Sequence, residues 1–376
     1  MSDPYTGPPD ASARGPQPPH PPPQASTPPP QTSTASFDEP PSAVGDPSNP
    51  TDPASVVDGD TADAARESLQ RVRTAIGEVV VGQDGIVTGL LAALLVRGHV
   101  LLEGVPGVAK TLLVTTLARS LHVDHARVQF TPDLMPSDVT GQTILDPDGR
   151  GLTFREGPVF TNLLIADEIN RTPPRTQAAL LEAMQERQVS VAGEARALPH
   201  PFLVVATQNP IDHEGTYPLP DAQLDRFLFK LLVGYPARGE EQRILDRDLA
   251  GGDAGPMPDR IDPVATVEDL DVARRCVAAV RVEAAVRDYV VDIARATRNT
   301  PAVELGVSPR GAAMLLHAAR AWAWLSGREY VSPDEVKAVV KPVLRHRLRL
   351  RPEVELEGAT PEAVLESILS SVPVPR

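Results

Sequence analysis

Apolar and polar positions change rhythm once along the chain, at Tyr235-Pro236. Before that point, from about Thr61, short apolar runs alternate with stretches whose apolar residues recur at helical spacing. The runs at Val100–Glu103, Arg127–Phe130, Leu163–Ala166, Phe202–Ala206 and Phe227–Leu232 have the length of strands. Each leads into a polar or glycine-bearing turn. Together with the helical segments between them, they predict a parallel sheet with crossover helices. Thr61 is the expected N-cap of a first helix that lines up Leu69, Val72 and Ile76 on one face. Beyond Pro236 the strands stop. Helices are expected over 238–249, 267–279, 284–298, 309–325, 332–346 and 361–371, with Gly/Pro/Asp breaks such as GGDAGPMPD between them. The pattern predicts an α/β core over 61–235 with a parallel five-stranded sheet, then a smaller all-α domain over 236–376.

Composition adds a third region. Of the 41 prolines, 17 fall within the first 53 residues, and residues 1–60 carry eight acids against one arginine. Such a stretch buries too little apolar surface to offset its ordering entropy, so a disordered Pro-rich tail is expected over 1–60. The single cysteine excludes an internal disulfide framework and any Cys-rich metal site. A net charge of −14 argues against indiscriminate nucleic-acid binding. No apolar run is long enough for direct membrane insertion, and the N-terminus lacks the basic and apolar regions of a secretory signal. A cytoplasmic protein is the expectation that remains.

The most informative string is Leu101-Leu102-Glu103-Gly104-Val105-Pro106-Gly107-Val108-Ala109-Lys110-Thr111-Leu112. It reads as strand, glycine-containing loop and helix, with Lys-Thr at the helix start. Such a loop turns backbone N–H groups toward phosphate oxygens and adds the positive end of the helix dipole. Lys110 would reach the β and γ phosphates, and the Thr111 hydroxyl would ligate Mg²⁺. Ala109 stands where the strict pattern has glycine; an alanine fits there if the backbone is already helical. Downstream, Leu163-Leu164-Ile165-Ala166-Asp167-Glu168 is an apolar strand ending in two acids. In a parallel sheet they emerge at the edge that carries the phosphate loop. Asp167 would hold Mg²⁺, and Glu168 would orient or deprotonate an attacking water.

With these two strings the chain resembles the AAA+ ATPases, specifically the MoxR family, over roughly Glu78–Pro373. The alanine-bearing GVPGVAKT loop is similar to the MoxR form of the Walker A loop, and Asp167-Glu168-Ile169-Asn170-Arg171 to its Walker B. Ala206-Thr207-Gln208-Asn209-Pro210 resembles sensor 1, where Asn209 would help place the water. Leu224-Asp225-Arg226-Phe227 resembles the arginine-finger segment, and Ser308-Pro309-Arg310 resembles sensor 2. Val81-Gly82-Gln83 is similar to the segment beside adenine. The resemblance implies an AAA+ P-loop core with β-hairpin inserts and a helical lid, binding ATP and Mg²⁺ in a homo-oligomeric ring, expected to be a hexamer. It further implies chaperone-like remodelling or maturation of a protein client, with a von Willebrand factor A domain protein as partner. A nucleotide-gated assembly scaffold and a DNA-acting motor are the alternative readings.

Several residues keep a second interpretation at this level. Arg226 would pair with Asp225 or Asp221 on the surface, or reach a neighbouring subunit's γ-phosphate; Arg171 is the other candidate for that trans role. Arg310 would be an exposed helical arginine, or the cation that a lid folding over the nucleotide needs near the γ-phosphate. Gly82 would also serve as a helix terminator, Gln83 would face solvent, and Asn209 would form a turn. Two hairpins are expected, one around Asp146–Gly149 and one with Gln188–Val191 and Arg196–Leu198 flanking Gly193, facing the ring pore or a partner. His122 and His125 lack the acids or cysteines of a metal site, Cys276 fits an apolar helical pattern, and Trp322 and Trp324 are packing residues. The basic run 345–351 is expected to meet a neighbouring subunit or solvent.

Overall fold

The computed structural model describes residues 57–104, 108–145, 151–209, 216–251 and 261–375. The expected tail lies outside them except for its last four residues. So do Val105, Pro106 and Gly107, the turn around Asp146–Gly149 and all but the first residue of the GGDAGPMPD break.

Two helices, α1 (Gly59–Val79) and α2 (Asp84–Leu95), precede β1 (Val100–Gly104). Next come α3 (Lys110–Ser120), β2 (His125–Gln129), α4 (Pro136–Thr140) and the hairpin β3 (Gly141–Leu145)–β4 (Leu152–Glu156). They are followed by β5 (Leu163–Asp167), α5 (Pro174–Glu186) and a second hairpin, β6 (Gln188–Val191)–β7 (Glu194–Ala197). The sheet is completed by β8 (Leu203–Gln208), the single turn α6 (Asp221–Leu224) and β9 (Phe229–Val233). Then follow α7 (Arg238–Gly251), α8 (Val267–Ala279), α9 (Ala284–Asn299), β10 (Val303–Leu305), α10 (Pro309–Leu325) and α11 (Pro333–Leu344). A short strand β11 (Arg349–Leu350), α12 (Pro352–Leu356) and α13 (Pro361–Ser371) close the chain.

The five-stranded sheet has the order β2-β5-β8-β1-β9, every neighbour parallel. Its central strands are buried on both faces, as crossover helices on both sides require. Period-two alternation divides the core. Leu163, Ile165, Leu203 and Val205 join a cluster with α1, α2 and α3, whereas Leu164, Ala166, Val204 and Ala206 pack with Leu180 and Met184 of α5. The first cluster runs on into the C-terminal helices through Ala273, Val277, Leu315, Trp324 and Val336. That helical lid is therefore welded to the sheet by apolar contact. Cys276 is buried in the same cluster. The two hairpins meet where the Arg196 guanidinium lies 4.3 Å over the Phe154 ring.

Two expectations need correcting. The first helix begins earlier than Thr61: Asp58, in extended backbone, is the N-cap, and its carboxylate accepts from the Thr61 N–H (2.9 Å) and hydroxyl (2.7 Å). Both residue types cap well, and the one three positions before the N–H it must reach wins. Strands also do not stop at Pro236, because β10 and β11 form an antiparallel ribbon. At two and three residues, those strands are too short to leave an alternation in the sequence.

His99 shows how the sheet is anchored. Its Nδ1 accepts the Val204 N–H (3.0 Å), so Nε2 carries the proton it donates to Met184 O (3.0 Å). This ring joins β1, β8 and α5 only when neutral. Burial, with Arg187 nearby, holds its pKa down to about 4 despite the Met184 bond. The unfolded chain binds this proton at an ordinary His pKa, so stability is full above about pH 6.5 and declines as pH falls toward 4. Denaturant unfolding at stepped pH should show that decline, and His99→Gln should flatten it. Removing residues 1–56 should leave the melting temperature unchanged. Extending the deletion through residue 60 should lower it by about 1–3 °C through loss of the cap.

Candidate nucleotide-binding site

In a parallel sheet all strands finish at one edge, and here that edge collects Gly104, Asp167, Gln208 and the start of α3. Gly104 must lack a side chain: a Cβ there would lie 2.2 Å from Val233 O on β9. Lys110 opens α3 and its ammonium donates to Gly104 O (2.6 Å). Burial lowers its pKa, while Asp167, Glu168 and Glu103 pull it back up. Thr111 and Leu112 fill the first turn of α3, where backbone N–H groups have no intrahelical acceptor. Ala109 departs from the reading above. Its backbone is left-handed (φ 60°, ψ 25°), a conformation that costs an L-residue about 1–2 kcal/mol. The glycine of the strict pattern answers this geometry, and the alanine is held here under strain.

The two acids are wired to each other through Thr207. Its hydroxyl donates to Asp167 Oδ1 (3.1 Å) and accepts the Glu168 N–H (3.0 Å). Asp167 Oδ2 accepts from Arg127 Nε (2.6 Å). Glu168 sits at φ 57°, turning its carboxylate off the strand line, where it accepts from Gln129 Nε2 (2.7 Å) and pairs with Arg171 (3.2 Å). Asn209 directly follows β8 at the same edge. Thr207, Arg127 and Gln129 escaped the sequence reading. Thr207 lies inside the sensor 1 string, and Arg127 and Gln129 alternate along β2, which borders the sheet.

Asp167 is largely buried, and its two carboxylate oxygens accept from Thr207 and Arg127, leaving lone pairs on both. With the Thr111 hydroxyl, this donor set fits Mg²⁺, which takes one or two protein oxygens and completes its shell with phosphate and water. Gly82 (φ 79°) and Gln83 stand at the same edge, beyond the end of β9. A Cβ on Gly82 would meet Glu240 Oε2 at 2.2 Å. Gln83 does not face solvent: it is buried and donates to Gly234 O (3.4 Å).

Arg226 and Arg310 are placed elsewhere. Phe229 pairs with Val100 at the opening of β1, and Leu228 N–H donates to His99 O (2.8 Å). Arg226 therefore precedes the sheet's opposite edge, and the five residues from Val100 to Gly104 span roughly 13 Å. The surface pairings considered for it are taken: Asp225 by Arg347 (2.7 Å) and Asp221 by Arg349 (3.1 Å). Among the described residues, the Arg226 guanidinium has no hydrogen-bond or ion-pair partner. Ser308 caps α10 and also donates to Asp225 Oδ2 (3.3 Å), which brings exposed Arg310 to the Arg226 side. This contact holds the start of α10 against Asp225.

Phosphate loop, acidic strand end and helical lid define a P-loop ATPase of the AAA class. Residues 99–229 match the ATPase family associated with various cellular activities (AAA), and residues 295–368 match the AAA lid domain. The chain is 49% identical over 300 residues to the Bacillus subtilis (strain 168) protein YeaC, spanning 80% of this chain and 92% of YeaC. It is 44% identical over 318 residues to Chaperone MoxR1 of Mycobacterium tuberculosis, spanning 82% of this chain and 83% of that protein. The crystal structure of a putative ATPase from Cytophaga hutchinsonii superposes with TM-score 0.78 at 36% identity, covering 84% of this chain and 98% of that one. The chain belongs to the MoxR family. No helix among the described residues is long and apolar enough to cross a membrane.

The strain at Ala109 can be tested directly. Ala109→Gly should raise unfolding free energy by about 0.5–1 kcal/mol, the gain from relaxing φ being partly offset by glycine's entropy. Thr207→Val should lower it by about 1–3 kcal/mol, because the Glu168 N–H loses its acceptor. Urea denaturation measures both.

Proposed function

We propose that this protein is a Mg²⁺-dependent ATPase that works as a ring, with each pocket completed by its neighbour. The observation that carries this reading is the division of charged groups between two ends of one sheet. Lys110, Asp167, Glu168, Thr207 and Asn209 gather at one end, while Arg226 and Arg310 are held at the other. An arginine so placed meets a γ-phosphate only when another subunit presents one.

Within a pocket, the α3 N–H groups and Lys110 hold the phosphates. Thr111 and Asp167 would hold Mg²⁺, which supplies charge neutralisation on the phosphate oxygens. Glu168 orients the attacking water once its carboxylate is released from Gln129 or Arg171, and Asn209 helps to place that water. Arg226, with Arg310 beside it, stabilises the charge of the transferring phosphoryl group from the next subunit. The work done with this energy is chaperone-like remodelling or maturation of a protein client in the cytoplasm. A von Willebrand factor A domain protein is the proposed partner. The name of the Mycobacterium relative supports the chaperone part of this reading.

Lys110→Ala should lose nucleotide affinity, whereas Glu168→Gln should bind ATP and turn over very slowly; calorimetry and phosphate release separate the two. Arg226→Ala should bind ATP normally and lose roughly 10³–10⁵-fold in turnover. Mixing it with Glu168→Gln under conditions of subunit exchange should restore turnover, because the second variant lends an intact arginine to the first variant's intact pocket. If verified mixed assemblies show no recovery at any ratio, the trans role passes to Arg171.

A further inference from the structure

The basic run 345–351 takes no part in the reaction proposed above; Arg349 and Arg351 are exposed, as the sequence suggests, but Arg347 is not. A 3-10 turn over Arg345–Arg347 follows α11 and drives Arg347 into the interior, where its side chain is 2% exposed. All five N–H donors of this guanidinium find acceptors. Nε bonds Asp225 Oδ1 (2.7 Å), Nη2 bonds Asp225 O (3.1 Å) and Phe227 O (2.6 Å), and Nη1 bonds Leu228 O (3.3 Å) and Val343 O. Four of the five reach into residues 225–228, and Asp225 and Phe227 are the two neighbours of Arg226. The His346 ring packs into the same site, with Nε2 3.0 Å from Phe227 O and 2.7 Å from Arg347 Nη1.

The helix that carries Arg310 is part of the same assembly. Ser308 donates to the second oxygen of the Asp225 carboxylate (3.3 Å), and a Cβ on Gly311 would lie 2.8 Å from Arg347 Cδ. The backbone on both sides of Arg226 is thus fastened to the lid, while Arg226 itself has no partner among the described residues. A lysine cannot substitute for this fork, because its three donors radiate from a single atom.

We propose that Arg347 is a positioning residue: it sets the placement of Arg226, so the lid of one subunit governs the arginine offered to the next. This rests on the reading that Arg226 acts in trans. The role is directional. A subunit's Arg347 matters for the neighbour's pocket and not for its own.

Mixed assemblies test the direction. The control pairs an acceptor bearing Arg226→Ala, whose pocket is intact, with a donor bearing Glu168→Gln, whose arginine is intact. Adding Arg347→Lys to the donor should lower turnover roughly 10–100-fold with KM for ATP unchanged. Adding it to the acceptor instead should leave turnover at the control level. Equal loss in both arms shows a merely structural residue and overturns the proposal, as does no loss in the donor arm. Should Arg347→Lys fail to fold or assemble, Asp225→Asn keeps the shape, removes the carboxylate and is read in the same two arms. A control pair with no turnover removes the reading that Arg226 acts in trans, whereas an active control with symmetric arms removes only the role of Arg347.

Discussion

Parallel strands end together, and the rest of this molecule is arranged around that constraint. The registers of β1, β5 and β8 bring Gly104, Asp167 and Gln208 within two residues of one level, so phosphate-binding, acidic and amide groups meet without any loop having to travel. The same registers send the residues ahead of β9 to the other edge. A single sheet therefore cannot place Arg226 and Lys110 at the same phosphate. In the function proposed above, assembly supplies what the topology withholds.

Thr207 and Arg347 solve the same problem at opposite ends: a charged group that acts must be aimed, and aiming requires partners that do not act. Thr207 joins the Asp167 carboxylate to the Glu168 backbone with one hydroxyl, so the two acids share one reference point. Arg347 grips a stretch of backbone with a rigid planar fork and leaves Arg226, the arginine proposed to act in trans, outside that grip. Burial lowers its pKa to about 10, with the Asp225 carboxylate opposing the shift, so it remains charged at neutral pH.

Much of this was legible in the residues. The five strands were marked by apolar runs, and α8, α10 and α13 by periodicity between strong stops. The phosphate loop and acidic strand end were marked by spacing. What stayed hidden depended on tertiary placement. The left-handed backbone at Ala109 leaves no trace in a residue whose neighbours read as an ordinary helix start. Arg347 is one arginine in a run of four, and nothing local distinguishes it from Arg349, whose ion pairs lie on the surface. The side of the sheet on which Arg310 stands follows from Ser308 meeting Asp225, residues 83 positions apart.

The apolar cluster that runs from the sheet face into the lid has a mechanical meaning. Swinging the lid away from α1 and α2 would expose Trp324, Leu315 and Val277 to water, each worth about 1.5–3 kcal/mol when fully buried. A hinge inside the subunit is therefore stiff. In the ring proposed above, strain from nucleotide turnover would travel as rotation of whole subunits, each acting like a solid tooth of a gear.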